Sequence, residues 1–278
     1  MNQTINISGK LLDMQRPLVM GIINVTPDSF YSDSRVADPR AVAERAMLML
    51  RDGADILDVG GCSTRPGAPD VSPDEEYRRL ASGLEAIRRV APDAIISVDT
   101  FRADVAERCV RDWGVQIIND IGGGTLDDKM WQTVADLRVA YILMHMRGTP
   151  ATMGDCCQYD DVTADVIRDL AFKADTLRDM GVADIIIDPG FGFAKTSEQN
   201  FRLLADLAEF KKMGMPLLVG LSRKTMIWKN LGITPADSLY GTVALHTVAM
   251  MNGADIIRVH DVRPAADSAR LLAMLPRS

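Results

Sequence analysis

Eight short apolar runs recur along the chain, and helical stretches separate most of them. The runs are rich in Ile, Val and Leu and carry few polar residues, which is typical of parallel strands covered by helices on both faces. This alternation over 278 residues favours an α/β fold, a single (β/α)8 TIM barrel, over a doubly wound sheet. No linker, low-complexity tract or charge block divides the sequence, so residues 1–278 are predicted to form one domain. The predicted strands span residues 18–25, 54–61, 94–100, 116–120, 140–146, 184–190, 216–222 and 254–261.

Local signals outside these strands predict a hairpin and the ends of the first helices. The segment INISGKLL, before the first strand, is predicted to form a short N-terminal hairpin. Asp38 and Pro39 predict the start of the first helix and Gly53 its end. Ser72 and Glu75 stand at the spacing of a capping box, which predicts the start of the next helix.

Composition and charge exclude several classes of protein. Hydrophobic residues make up 47% of the chain, yet no apolar run approaches the roughly 18 residues of a membrane span. The N-terminal sequence MNQTINISGK lacks the pattern of a secretory signal, so a cytoplasmic location without a membrane partner is predicted. A net charge of −7 argues against nucleic acid as a partner and leaves any phosphate to local cations. The four cysteines show no metal-ligand spacing and fit a reducing compartment.

Polar and charged residues collect at the ends of the predicted strands. In a TIM barrel the carboxyl ends of the strands form the mouth in which active sites lie. Side chains two residues apart on a strand point to the same side, so Arg258 and His260 are predicted to share a face. A single such residue could merely cap a loop, but a ring of them around one mouth predicts a site. The ring comprises Asn24, Asp99, Asn119, His145, Asp188, Ser222, Arg258 and His260.

The chemistry of this ring predicts a ligand with a heterocycle and an anionic group. Asp99, Asn119 and Asp188 are acceptors suited to the amino and ring N–H edge of a heterocycle, and a buried edge of this kind rejects analogues that lack the donors. A phosphate or carboxylate would need cations, and the candidates are Arg65, Lys224, Arg258 and His260. Residue spacing alone supports no narrower prediction.

A series of motifs resembles, in order, the motifs of bacterial dihydropteroate synthases. NVTPDSF, STRPG and SRK together are highly specific, and the resemblance covers about residues 18–262. It implies a transferase of folate biosynthesis that condenses (7,8-dihydropterin-6-yl)methyl diphosphate with p-aminobenzoate to give 7,8-dihydropteroate and diphosphate. It also implies Mg2+ as cofactor, a homodimer, and a target of sulfonamides. The matching segments are GIINVTPDSF, STRPGA, SVDT, IND, LMHMRGTP, DPGFGFAKT, GLSRKTMI and IIRVHDV.

The resemblance further implies a role for each matching residue. The residues implied to bind the pterin are Asp99, Asn119, Asp188 and Lys224. Those implied to bind the diphosphate are Asn24, Arg258 and His260, and Asn24 would also hold the metal. Those implied at p-aminobenzoate are Phe30, Thr64, Arg65, Pro66, Phe193 and Thr225. The residues implied to act in catalysis are Asp33, Arg65, Asp99 and Lys224.

Three positions depart from the family pattern. Cys62 stands where Glu is frequent, Trp228 replaces a frequent Gly, and the first loop reads FYSDSR, so Asp33 aligns with the family's loop aspartate only after a shift. None of them touches the predicted pterin edge. His145 and His246 are interpreted as satisfied core histidines.

Three other functions are compatible with parts of the sequence. A methyltetrahydrofolate-type methyltransferase would share the pterin-binding barrel but is not expected to carry STRPG and SRK. A non-catalytic pterin-binding paralogue should have lost the diphosphate residues, yet Asn24, Arg258 and His260 are present. A Schiff-base aldolase using Lys224 predicts borohydride trapping with a carbonyl substrate.

Overall fold

Eight parallel strands form a barrel in the computed structural model, which describes residues 4–26, 38–62 and 71–275. In chain order the strands are β1 (Thr4–Ile7), β2 (Lys10–Asp13), β3 (Leu18–Asn24), β4 (Ile56–Gly60), β5 (Ile96–Asp99), β6 (Ile117–Asp120), β7 (Ala140–Met144), β8 (Ile185–Asp188), β9 (Leu218–Val219) and β10 (Ile256–Val259). The barrel strands neighbour one another in the order β8, β7, β6, β5, β4, β3, β10, β9. A parallel bridge between Ile187 and Leu217 joins β8 to the residue before β9 and closes the circle. The predicted TIM barrel with an N-terminal hairpin is confirmed.

Helices surround the barrel and begin where the sequence signals predict. Asp38 Oδ1 accepts a hydrogen bond from Arg40 N at 3.0 Å, and Gly53 ends the first helix with a φ of 104°. Ser72 Oγ accepts from Glu75 N at 3.3 Å, but the Glu75 carboxylate binds arginines instead of completing the predicted box. The helices are α1 (Pro39–Asp52), α2 (Pro73–Val90), α3 (Ala103–Trp113), α4 (Met130–Leu137), α5 (Val162–Asp179), α6 (Ser197–Ala205), α7 (Thr225–Leu231), α8 (Leu239–Met251) and α9 (Val262–Ala273), with 3-10 turns at Met153–Asp155 and Leu207–Met213.

Successive side chains of each strand alternate between the barrel interior and the helices. Met20 on β3 and Ile56 on β4 belong to an interior apolar cluster, whereas Val19 and Leu57 pack among the helices. This alternation explains why the runs are apolar throughout, because both faces of the sheet are buried. Toward the carboxyl ends the inward positions become polar, and they are Asn24, Asp58, Asp99, Asn119, Asp188 and Arg258.

The N-terminal hairpin covers the amino end of the barrel. Its strands β1 and β2 pair antiparallel, and Ile5 and Ile7 are buried in the interior cluster together with Met20 and Ile56. The backbone N–H of Asn6 donates to Asp184 Oδ1 at 2.8 Å, just before β8. The hairpin therefore covers the end of the barrel opposite to the one where the predicted site residues lie.

The last strands are shorter than predicted. The run 216–222 yields only Leu218–Val219 as a strand, although the carbonyls of Pro216 and Leu217 also accept hydrogen bonds from neighbouring strands. Beyond Val219 the chain turns toward α7 through Arg223, which has a φ of 55°. Among the helices in the described part of the chain, none has the length and apolar character that crossing a membrane requires.

Candidate active site

Four of the inward positions lie side by side across neighbouring strands at the mouth. Asn24 pairs in register with Gly60, Gly60 with Asp99, and Asp99 with Asn119. A Cβ placed on Gly60 would lie 3.4 Å from Asn24 Oδ1 and 3.9 Å from Asp99 Oδ2. The missing side chain at Gly60 therefore lets the amide of Asn24 and the carboxylate of Asp99 approach the same space.

Arg258 lies at the centre of a buried network of carboxylates. Its Nε donates to Asp58 Oδ2 and its Nη2 to Asp99 Oδ2, each at 2.6 Å. Asn119 Nδ2 also donates to Asp58 Oδ2, at 3.1 Å, which leaves Asn119 Oδ1 as the acceptor of this side chain. Burial raises the pKa of Asp99 to about 7, against the opposing attraction of Arg258. The predicted pterin residues are thus connected to the predicted diphosphate residue Arg258, Asp99 directly and Asn119 through Asp58.

Asp188 ends β8 on the far side of the mouth, as predicted. Its side chain is buried, and Oδ1 accepts a hydrogen bond from Gly190 N at 2.7 Å. Gly190 has a φ of 70°, and a Cβ there would lie 2.0 Å from the carbonyl oxygen of His145, so only glycine fits this turn. Burial raises the pKa of Asp188, while Lys224 opposes this shift.

Lys224 reaches into the mouth from the loop before α7. Its Nζ donates to the carbonyl oxygen of Phe191 and lies 4.8 Å from the centroid of the Phe193 ring. Burial lowers the pKa of Lys224 to about 8, against the attraction of Asp188. Lys224 and Asp188 therefore attract each other as a cation and a carboxylate. Thr225 follows as the exposed first residue of α7.

Two adjacent pairs connect the loop after β9 with the loop after β10. Ser222 Oγ lies 2.9 Å from His260 Nδ1 and accepts from His260 N at 3.1 Å. Arg223 donates through Nε and Nη2 to the two carboxylate oxygens of Asp261 at 2.9 and 3.0 Å. These bonds fix the loop segment that leads to Lys224 relative to the segment that carries His260.

Asp120 serves the structure of the mouth and not its chemistry. Its carboxylate accepts from the backbone N–H groups of Gly122 and Gly124 at 2.7 and 2.8 Å and from the Tyr141 hydroxyl at 2.7 Å. These bonds hold the loop that follows Asn119, since Asp120 points to the opposite side of the strand.

Two buried residues that shape the site were not among the predicted ones. Asp58 is fully buried, and in the described part of the chain its Oδ1 has no hydrogen-bond partner. The sequence feature that could have indicated Asp58 is its charge inside the apolar run ADILDVGG. Asp58 stands two residues before Gly60 and therefore on the same face of the strand. Lys195 is buried in the loop after β8, within the motif DPGFGFAKT, of which only Asp188 and Phe193 were predicted to be site residues.

The two histidines interpreted as core residues are buried. His145 lies against Lys195, with 3.1 Å between Nδ1 and Nζ, and burial lowers the pKa of His145 to about 2. His246 Nε2 accepts from Leu221 N at 3.2 Å, and burial lowers its pKa to about 3. Both rings are therefore neutral, and His145 faces the loop after β8 instead of the open mouth.

Two of the three departures from the family pattern can be placed. Cys62 is half-buried, with Arg102 Nη1 at 3.7 Å from Sγ, and burial raises the pKa of its thiol to about 12. Trp228 lies on α7, with the Lys229 ammonium 5.8 Å from its ring centroid. Phe193 is half-buried in the loop after β8. The predictions for Phe30, Asp33, Thr64, Arg65 and Pro66 lie outside the described residues.

Comparisons with known proteins agree with this geometry. A family described as "Pterin binding enzyme" matches residues 20–260. Dihydropteroate synthase of Escherichia coli K12 is 42% identical over 266 residues, which are 95% of this chain and 93% of that protein. A crystal structure of Yersinia pestis dihydropteroate synthase with a sulfonamide drug superimposes with a TM-score of 0.91 at 38% identity, covering 97% of this chain and 98% of that one. The Xanthomonas albilineans enzyme with 4-aminobenzoic acid gives a TM-score of 0.90 at 37% identity, covering 99% and 100%. The chain belongs to the pterin-binding enzymes and, within them, to the dihydropteroate synthases.

Proposed function

We propose that the chain condenses (7,8-dihydropterin-6-yl)methyl diphosphate with p-aminobenzoate and releases 7,8-dihydropteroate and diphosphate. The observation that carries this proposal is that buried hydrogen-bond acceptors and cationic side chains lie next to each other at the same mouth of the barrel. Asp99 Oδ2 accepts a hydrogen bond from Arg258 Nη2 at 2.6 Å, and the charges of buried Asp188 and Lys224 attract each other. A pterin and an anionic leaving group bound together require this combination.

The buried acceptors would bind the pterin. The carboxylate of Asp188 would accept from the amino group and ring N–H, and Asn119 Oδ1 is free to accept because Nδ2 is bound to Asp58. Lys224 would donate to the pterin from its other side. Deeply buried acceptors of this kind strongly disfavour ligands without matching donors.

The diphosphate would bind where Arg258, His260 and Asn24 approach the mouth. Arginine has five N–H donors, and the two bonds to Asp58 and Asp99 leave others for phosphate oxygens. Positive charge at this position would stabilise the negative charge that develops as the diphosphate departs.

Asn24 would be a protein ligand of Mg2+. Its Oδ1 is a hard oxygen donor, and among the described residues no hydrogen bond to this amide is found. Those residues contain no group of three or more His, Cys, Asp or Glu that could hold a metal ion, so water and substrate oxygens would complete the coordination, as Mg2+ commonly requires. When bound, the ion would supply Lewis-acid charge to the diphosphate.

p-Aminobenzoate would bind nearer the surface than the pterin, against Phe193 and Thr225. The bond between the pterin methylene carbon and the diphosphate oxygen breaks, and the electron pair leaves with the diphosphate. The aniline nitrogen then bonds to this carbon and loses a proton, while Asp99 and Asp188 stabilise positive charge on the pterin. Sulfonamides, which carry an aniline and an acidic group, would compete for the same place. The loop residues Phe30, Asp33, Thr64, Arg65 and Pro66 remain predicted contributors.

We also propose a homodimer formed through α8 and α9. The two helices pack against each other, yet they expose Tyr240, Met251 and Leu271 at 85%, 68% and 66%. Exposed large apolar side chains on two adjoining helices are candidates for burial in an interface. Sedimentation of the wild type as a monomer would contradict this proposal, and Met251→Glu should weaken the dimer. A cytoplasmic location and a single domain remain part of the proposal.

The function is tested by mixing purified protein with both substrates, with and without Mg2+, and measuring dihydropteroate and released diphosphate. We expect stoichiometric formation of both products in the presence of Mg2+ and its loss in Asp188→Asn. Binding of the pterin diphosphate without turnover would indicate a non-catalytic pterin-binding protein instead.

A further inference from the structure

The loop after β8, residues 189–196, presents two groups to the mouth. The carbonyl of Phe191 accepts from Lys224 Nζ, and the Phe193 ring lies beside the same ammonium. Three residues of this loop have left-handed backbone, Gly190 at 70°, Gly192 at 79° and Ala194 at 49°. An irregular loop holds such a conformation only where its backbone groups are bound elsewhere.

Lys195 binds this loop from behind. It is 8% exposed, and its Nζ lies 3.0 Å from the carbonyl oxygens of both Gly190 and Phe193 and 3.1 Å from His145 Nδ1. An ammonium group has three N–H donors, and these three acceptors account for all of them. His145 is neutral because burial lowers its pKa to about 2, so its Nδ1 is assigned as an acceptor.

We propose that Lys195 is a positioning residue for p-aminobenzoate, the second substrate. Lys195 does not touch this substrate but holds the Phe193 backbone, and Phe193 in turn orients the substrate. This inference rests on the proposed function, in which Phe193 lines the p-aminobenzoate site. Two of the three contacts of Lys195 are loop carbonyls, and one of them belongs to Phe193 itself. Fixing this carbonyl fixes the direction from which the aromatic ring meets Lys224.

The surroundings of Lys195 argue against a direct role in proton transfer. The charged and titratable groups that act on it are Asp188, Lys224, Arg147 and Cys157, and burial lowers its pKa to about 7. An accessible amine with this pKa would suit a general base, but this one is buried and all its donors are engaged. Burying an ammonium costs free energy, which favours a specific structural purpose.

Other contacts would keep the loop folded without Lys195. Tyr159 Oη donates to the carbonyl of Ala194 at 2.9 Å, and Asn200 Oδ1 accepts from Gly192 N at 2.7 Å. Replacing Lys195 should therefore loosen Gly190 and Phe193 locally and leave the barrel intact.

The experiment compares Lys195→Met with Lys173→Met in the steady-state reaction. Lys173 is a matched control, since it is also 8% exposed but pairs with Asp169 on α5 at 2.8 Å, and no described hydrogen bond joins it to the loop after β8. We expect Lys195→Met to raise the KM for p-aminobenzoate by about tenfold, equivalent to about 1.4 kcal/mol, with the KM for the pterin diphosphate within about twofold. Lys173→Met should leave both KM values within about twofold.

A double-mutant cycle with Phe193→Leu tests whether Lys195 acts through Phe193. We expect the double variant to show no larger KM for p-aminobenzoate than Phe193→Leu alone, because the two residues form one unit. Additive effects, equal rises in both KM values, or an unchanged Lys195→Met would overturn the proposal. If Lys195→Met does not fold, Lys195→Leu, which likewise removes all three donors, serves in its place under the same criteria. A wild type that forms no dihydropteroate would instead refute the proposed function.

Discussion

Removing Arg258 should destabilise the whole barrel as well as the diphosphate site. The guanidinium binds two carboxylates at 2.6 Å, and Asp58 is fully buried. Removing one partner of a buried ion pair leaves an uncompensated charge and typically costs about 3–5 kcal/mol. We expect Arg258→Ala to lower the free energy of unfolding by about this amount, and to weaken binding even of a pterin without diphosphate because Asp99 loses its partner.

The size of this loss should depend on pH. Without Arg258, the pKa of Asp99, already raised by burial, rises further above its unfolded value of 3.8. A carboxyl group with a raised pKa in the folded state stabilises the fold while protonated, and that stability is lost as the pH rises through the folded pKa. The difference between wild type and variant should therefore be larger at about pH 9 than at about pH 6.

Chemical denaturation followed by circular dichroism measures this difference. Arg263→Ala is the matched control, because Arg263 pairs with Asp267 on the exposed face of α9 at 2.9 Å and should be nearly neutral. A loss below about 1 kcal/mol for Arg258→Ala, or the same loss at both pH values, would refute the reasoning.

Three further predictions address single groups. Asp188→Asn should weaken pterin binding by at least about 2 kcal/mol with an unchanged circular dichroism spectrum, and calorimetry showing wild-type affinity would contradict its assignment. Since burial lowers the pKa of Lys224 to about 8, kcat/KM for the pterin diphosphate should fall as the pH rises through this value, and a profile flat to about pH 10 would speak against the role of its ammonium. Tyr141→Phe removes one of the two donors to Asp120 Oδ2 and leaves only the backbone N–H of Gly124 there, so urea unfolding should show a loss of about 1–3 kcal/mol while KM values stay unchanged.

The sequence was sufficient to predict the barrel and the polar ring at its mouth. Both follow from local patterns, since apolar runs mark strands buried on both faces and the residues at their ends meet at one edge. Asn24, Asp99, Asn119 and Asp188 lie at the carboxyl ends of their strands for this reason.

The contacts between these residues could not be predicted from any one strand. Arg258 binds Asp58 and Asp99 across the barrel interior, over sequence separations of 200 and 159 residues. A spacing rule shows which face a side chain occupies but not which distant group it meets. Lys195 was missed for a related reason, because its role depends on the path of an irregular loop whose left-handed residues are not all glycine.

The hairpin has a kinetic consequence, because in the described part of the chain it covers the amino end of the barrel and leaves the carboxyl end as the way in. Asn119 and Asp188 are only 3% and 7% exposed at the bottom of the mouth, whereas Thr225 is exposed at its rim. The two reactants enter by the same route but bind at different depths, so the one that binds deeper must enter first. The product that joins them must leave by the same route. p-Aminobenzoate that enters an empty barrel would stand in the path of the pterin. High concentrations of p-aminobenzoate should therefore slow turnover, and additional pterin diphosphate should relieve that inhibition.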